Sequence, residues 1–103
     1  MNTIIYCASW EKGEAKFDEL INKINPYSRE ECWKIVKKKR GSYAQHLPSS
    51  SCISVVYAYE GARGHKWHEC YIDEDISIRT LNNIIIPAGR FFKDNWEEGV
   101  HYF

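Results

Sequence analysis

The sequence predicts an α+β domain in which two N-terminal helices pack on a mainly antiparallel sheet, in the order β-α-α-β-β-β with a short C-terminal helical turn or strand. Three observations lead there. An apolar, β-rich run opens the chain, two helical patterns follow it at once, and the remaining β-formers gather after residue 50 around the turn Gly61-Ala62-Arg63-Gly64. A length of 103 residues holds one core, so residues 1–103 are expected to form a single domain.

Thr3 to Ala8 is continuously apolar and short, which places a strand in the sheet interior. Ser9 or its successors then cap a helix. Over Gly13 to Asn25 the apolar residues Phe17, Leu20, Ile21 and Ile24 recur at helical spacing, and Asn25-Pro26 ends the pattern because proline cannot donate the next helical hydrogen bond. Ser28-Arg29-Glu30-Glu31 reads as a capping box for a second helix, with Cys32, Trp33, Ile35 and Val36 on its apolar face and Gly41 as its C-cap. Its last turn, Lys37-Lys38-Lys39-Arg40, is either a solvated helix end favoured by the macrodipole or a contact for phosphate or an acidic partner.

Gly41 to Ser51 lacks periodicity and reads as a loop in which Tyr43 and His46 are the groups able to make specific contacts. Cys52–Glu60 and His65–Asp73 read as a hairpin, with Glu60 opposite His65. Ile76 to Leu81 alternates like a returning strand. Ile84-Ile85-Ile86 is a short strand or the lead into a helical turn at Pro87, Phe91, Phe92 and Trp96 form a last apolar cluster, and Val100 to Phe103 adds an edge strand.

With 44% hydrophobic and 27% charged residues the composition is that of a globular protein, and 14 basic residues cancel 14 acidic ones, so any attraction to nucleic acid must come from a local patch. The chain contains no apolar run near the roughly 20 residues that span a bilayer, and Met1-Asn2-Thr3 is no basic leader. A cytoplasmic protein without membrane contact is the expectation.

Cys7, Cys32, Cys52 and Cys70 are widely spaced and lie in apolar stretches, which predicts free core thiols, with metal or redox use as alternatives. His68 and Cys70 would share one strand face and His65 and Glu69 the other, fewer ligands per face than zinc requires. No metal or cofactor is therefore expected. Nor does the sequence carry a nucleophile motif or a phosphate loop.

The best candidate for recognition is an acidic-aromatic patch of Trp67, Glu69, Tyr71, Asp73, Glu74 and Asp75, suited to a protein partner with a basic surface such as a nucleic-acid-binding cleft. Glu60, His65 and Glu69, with Arg63, are the nearest approach to an acid-base constellation for RNA cleavage. In size, in its acidic-aromatic surface and in lacking catalytic motifs, the chain is similar to small phage-encoded inhibitors of bacterial defence nucleases of the anti-CRISPR type. That similarity implies a non-enzymatic inhibitory protein. The order strand, helix, helix, meander also resembles small endoribonuclease toxins of the RelE and HigB type, which implies the alternative of an RNA-cleaving toxin.

Overall fold

In a computed structural model, which describes residues 1–59, 65–89 and 96–103, the opening run forms β1 (Asn2–Cys7) at the centre of a six-stranded sheet. Its alternate side chains are buried on both sides: Ile4 and Tyr6 enter one apolar cluster, Ile5 and Cys7 the other. Continuous apolarity is what a strand covered on both faces requires.

Helix α1 (Trp10–Asn22) follows immediately. Ser9 is its N-cap, accepting a hydrogen bond from the Lys12 backbone N–H. The stripe foreseen from periodicity packs on one sheet face, with Phe17 and Ile21 buried and Leu20 and Ile24 at the margin. Gly13 brings the helix very close to the sheet: a Cβ there would stand 2.7 Å from Cys7 Cβ and 2.8 Å from Val55 Cγ1.

The second helix differs from expectation. Helix α2 (Pro26–Cys32) begins with Asn25 as its N-cap and proline in its first turn, so the Asn25-Pro26 signal starts one helix as well as following another. Ser28 lies inside it, and the expected capping box is not used. Trp33 to Val36, read as its apolar face, instead form β2, an edge strand whose aromatic and branched side chains suit a pleated surface. The stretch expected as a loop contains β3 (Tyr43–His46), antiparallel to both β2 and β4 (Ser51–Tyr57).

The expected hairpin is absent. β4 and β5 (Glu69–Ile72) do not pair with each other; both run parallel to β1, one on each side, with Ile5 opposite Val55 in one ladder and Tyr71 in the other. A central strand needs partners on two edges, and the two β-rich runs supply one each. β6 (Val100–Tyr102) pairs parallel with β5 and closes the order β2-β3-β4-β1-β5-β6, so the foreseen edge strand is present. Only β3 runs against the rest, and the sheet is mixed where a mainly antiparallel one was expected.

Ile76 to Leu81 is not a strand either. Ser77 caps a helical turn, α3 (Ile78–Thr80), that continues as a π-turn over Leu81–Ile85 and a 3-10 turn over Ile86–Ala88. A local serine cap has won over apolar alternation. With Trp67, this segment covers the second sheet face through Leu81, Ile84, Ile85 and Ala88. Glu60, Gly61–Gly64, Phe91 and Phe92 lie outside the described residues. Among those described, no helix is long and apolar enough to cross a membrane.

Candidate functional site

Because β2 is parallel to β4 and β1, the chain leaves all three at the same end of the sheet. There β1 continues into α1 on one face while the chain after β4 enters the opposite cluster through Ala58. Divergence of neighbouring connections at the carboxyl end of parallel strands is where open α/β sheets hold ligands. At this end lies an open cleft of about 1000 Å³.

One wall is the turn after β2, Lys37-Lys38-Lys39-Arg40-Gly41-Ser42. Successive cations repel one another, and Glu14 of α1 supplies the counter-charge. Although only 7% exposed, its carboxylate accepts from Lys37 Nζ at 3.1 Å, from the backbone N–H groups of Gly41 and Ser42 at 3.2 Å each, and from the Ser42 hydroxyl. Burial alone would push the Glu14 carboxyl up, but the hydrogen bonds from Ser42 and Lys37 outweigh it and hold the group below its ordinary range. Gly41 takes a φ of 87°, which lets the turn close back on Glu14. Lys37 is also paired with Asp18 at 3.1 Å. Lys39 and Arg40 are exposed and make no ion pair among the described residues.

The other wall is aromatic. Trp10 stacks on Tyr57 with ring centroids 5.7 Å apart and planes 23° from parallel, and Tyr57 meets Tyr59 edge-on at 5.6 Å. Tyr59 lies beyond the lining, donating to the Asp75 carbonyl and accepting from the Ser77 N–H. Ala8, Ser9 and Glu11 complete the lining, so four cations face two carboxylates, one of which is spent on the turn itself.

Of the residues expected to form an acidic-aromatic patch, few share an open surface. Trp67 is fully buried, its indole N–H donating to the Ile85 carbonyl at 2.7 Å. Asp73 is also fully buried, accepting from Lys12 Nζ at 2.6 Å, the Ala8 N–H at 2.8 Å and the Asp75 N–H at 2.9 Å. Burial would raise its carboxyl, yet the bond from Lys12 and those from the Asp75 and Ala8 amides hold it low. Tyr71 is half-buried and stacks on His101, which approaches Glu69 at 3.6 Å. Only Glu74 and Asp75 are fully on the surface, and Asp75 bonds to Lys12 at 3.2 Å.

His65 is exposed, whereas its proposed companions Glu60 and Arg63 lie outside the described residues. His68 Nδ1 accepts from the Asn2 N–H at 3.0 Å, while Cys70 is buried. Among the described residues no group of three or more His, Cys, Asp or Glu is placed to hold a metal ion. All four cysteines are free thiols, Cys7 and Cys70 buried and Cys32 and Cys52 half-buried. Burial, reinforced by the charges of Asp73 and Glu14, pushes the Cys7 thiol up to about 12, and burial with Glu69 does the same to Cys70.

Trp10, Glu14 and Tyr57 were not singled out by sequence reasoning. The basic run was, and its reading as a phosphate or acidic-partner contact is the one signal that pointed here. No protein family, curated protein or solved structure matches this chain.

Proposed function

We propose that this protein is a small macromolecule-binding or inhibitory protein without chemistry of its own, and that it recognises an anionic partner in the cleft at the carboxyl end of its parallel strands. The observation carrying this reading is the pinning of the basic turn by Glu14 opposite the Trp10–Tyr57 stack, which holds charge and flat apolar surface ready on a rigid frame. Among the described residues, the buried ionisable groups are committed elsewhere. Glu14 and Asp73 are saturated with donors, and the Cys7 and Cys70 thiols are poor sources of thiolate. In lacking its own chemistry it would be similar in kind to phage-encoded inhibitors of defence nucleases.

A second reading keeps the acidic side. Glu74 and Asp75 stand together on the surface after β5, with Glu69 34% exposed on the same strand, and they suit a protein partner with a basic surface. Charge reversal separates the two. In a reconstituted complex with a purified partner, Lys39→Glu with Arg40→Glu should abolish association while Glu69→Lys with Glu74→Lys leaves it intact; the opposite pattern would move recognition to the acidic side. Metal-independent RNA cleavage by the wild-type protein, lost in His65→Ala, would replace binding with the toxin reading.

A further inference from the structure

We infer that the cleft takes a single-stranded nucleic acid, its bases lying against Trp10 and Tyr57 and its phosphates along Lys38, Lys39 and Arg40. This rests on the cleft being the recognition surface. A nucleotide couples one flat ring to one negative charge across a sugar, and the two walls offer the complementary pair: aromatic faces on one, a run of cations on the other. An acidic peptide would answer the cations and leave the rings without a counterpart.

Two further observations favour a strand over a lone nucleotide. The aromatic groups run on past the cleft, Trp10 to Tyr57 at 5.7 Å within the lining and Tyr57 to Tyr59 at 5.6 Å beyond it, and Tyr59 is 47% exposed. The cleft, at about 1000 Å³, is at the upper end of small-molecule pockets and open to solvent. A row of rings beside a cationic track is how sequence-tolerant proteins hold unpaired strands, because every base has a stacking face. A duplex hides those faces inside its own stack.

The charge is local. Over the whole chain basic and acidic residues balance, so long-range attraction is weak and binding should need the cleft itself. Glu11, exposed on the lining, opposes a phosphate, and Glu11→Gln should tighten binding.

The test is fluorescence anisotropy of a labelled ten-nucleotide oligouridylate with the intact protein at low salt. Saturable binding is expected, falling at least about tenfold in Lys39→Glu/Arg40→Glu and by a similar factor in Trp10→Ala, the loss typical of removing one stacking ring. Circular dichroism and thermal melting establish that each variant is folded; the Lys39/Arg40 pair is exposed and serves if Trp10→Ala is not folded. An unlabelled duplex, uridine monophosphate, inorganic phosphate and polyglutamate are the competitors. Competition by duplex as strong as by single strand would overturn the stacking, and uridine monophosphate competing as well as the oligomer would make the ligand a single nucleotide. If the oligomer fails to bind but polyglutamate binds in a manner lost with Lys39→Glu/Arg40→Glu, the nucleic-acid inference falls and the cleft reading stands. If no polyanion responds to those substitutions, both fall.

Discussion

Glu14 and Ser42, 28 residues apart in sequence, are joined twice: the Glu14 carboxylate accepts from both the backbone N–H and the hydroxyl of Ser42. The Ser42 oxygen in turn accepts from the Lys38 N–H at 2.8 Å, so the link passes from helix α1 into the middle of the basic turn. The shape of the cationic wall therefore depends on an acidic residue.

Replacing Glu14 with Gln keeps its size and removes the charge that balances Lys37. The amide can no longer satisfy all its donors, and a loss of about 1–3 kcal/mol in urea denaturation is expected. A change below about 0.5 kcal/mol would mean that the turn holds its shape without Glu14.

Acid should unfold the protein through the same groups. Glu14 and Asp73 both titrate lower in the folded chain than in the unfolded one. Over that interval the unfolded chain binds more protons, so their contribution is complete at neutral pH and is lost as the pH falls from about 4 through the depressed folded values. Urea midpoints measured from pH 7 down to pH 2 should hold steady and then drop, and Asp73→Asn should lower the plateau and flatten the drop.

At Gly13 two effects oppose each other. Alanine would favour the helix by up to about 1 kcal/mol, but its methyl would meet Cys7 Cβ at 2.7 Å and Val55 Cγ1 at 2.8 Å. Forcing atoms into a filled core costs about 1–3 kcal/mol, so Gly13→Ala should be net destabilising in chemical denaturation. A stabilised variant would show that α1 can lift from the sheet at no cost.

The Tyr6 hydroxyl is buried in the cluster on one sheet face without a hydrogen-bond partner among the described residues. A buried polar group left unpaired opposes folding, so Tyr6→Phe should leave stability unchanged or raise it by about 1 kcal/mol. A loss above that size, measured by thermal and urea unfolding, would mean that the hydroxyl has a partner in solution.

What sequence alone could reach follows local chemistry. β1, α1 with its Ser9 cap, the Phe17 stripe and β6 were legible because each is written in neighbouring residues. Pairing is not written locally. Val55 and Tyr71 both sit beside Ile5, but their runs alternate alike and are separated by a turn-like segment, which favoured pairing them with each other. Trp33 and Ile35 read as a helix face as well as a strand, and the helix ends before them because Trp33, at its C-cap, already takes extended dihedrals and pairs with β3. Trp67 and Asp73 looked like surface because indole and carboxylate are polar at their tips; each is buried with those tips satisfied. The cleft is not legible in the sequence because Trp10, Glu14, Arg40 and Tyr57 come from three separate stretches of chain.

The central position of β1 also governs how the molecule can assemble. Its two ladders join Asn2 to Cys52 and Thr3 to Glu69, so the strand that organises the sheet is bordered entirely by residues that follow it at long range. Folding must close large loops before that strand gains either neighbour, which predicts slow, high-contact-order kinetics. During synthesis, a chain that ends before Glu69 exposes at least one row of unpaired β1 amides and carbonyls in its most deeply buried strand. Until the last third of the chain arrives, that edge is open to pairing with other nascent chains.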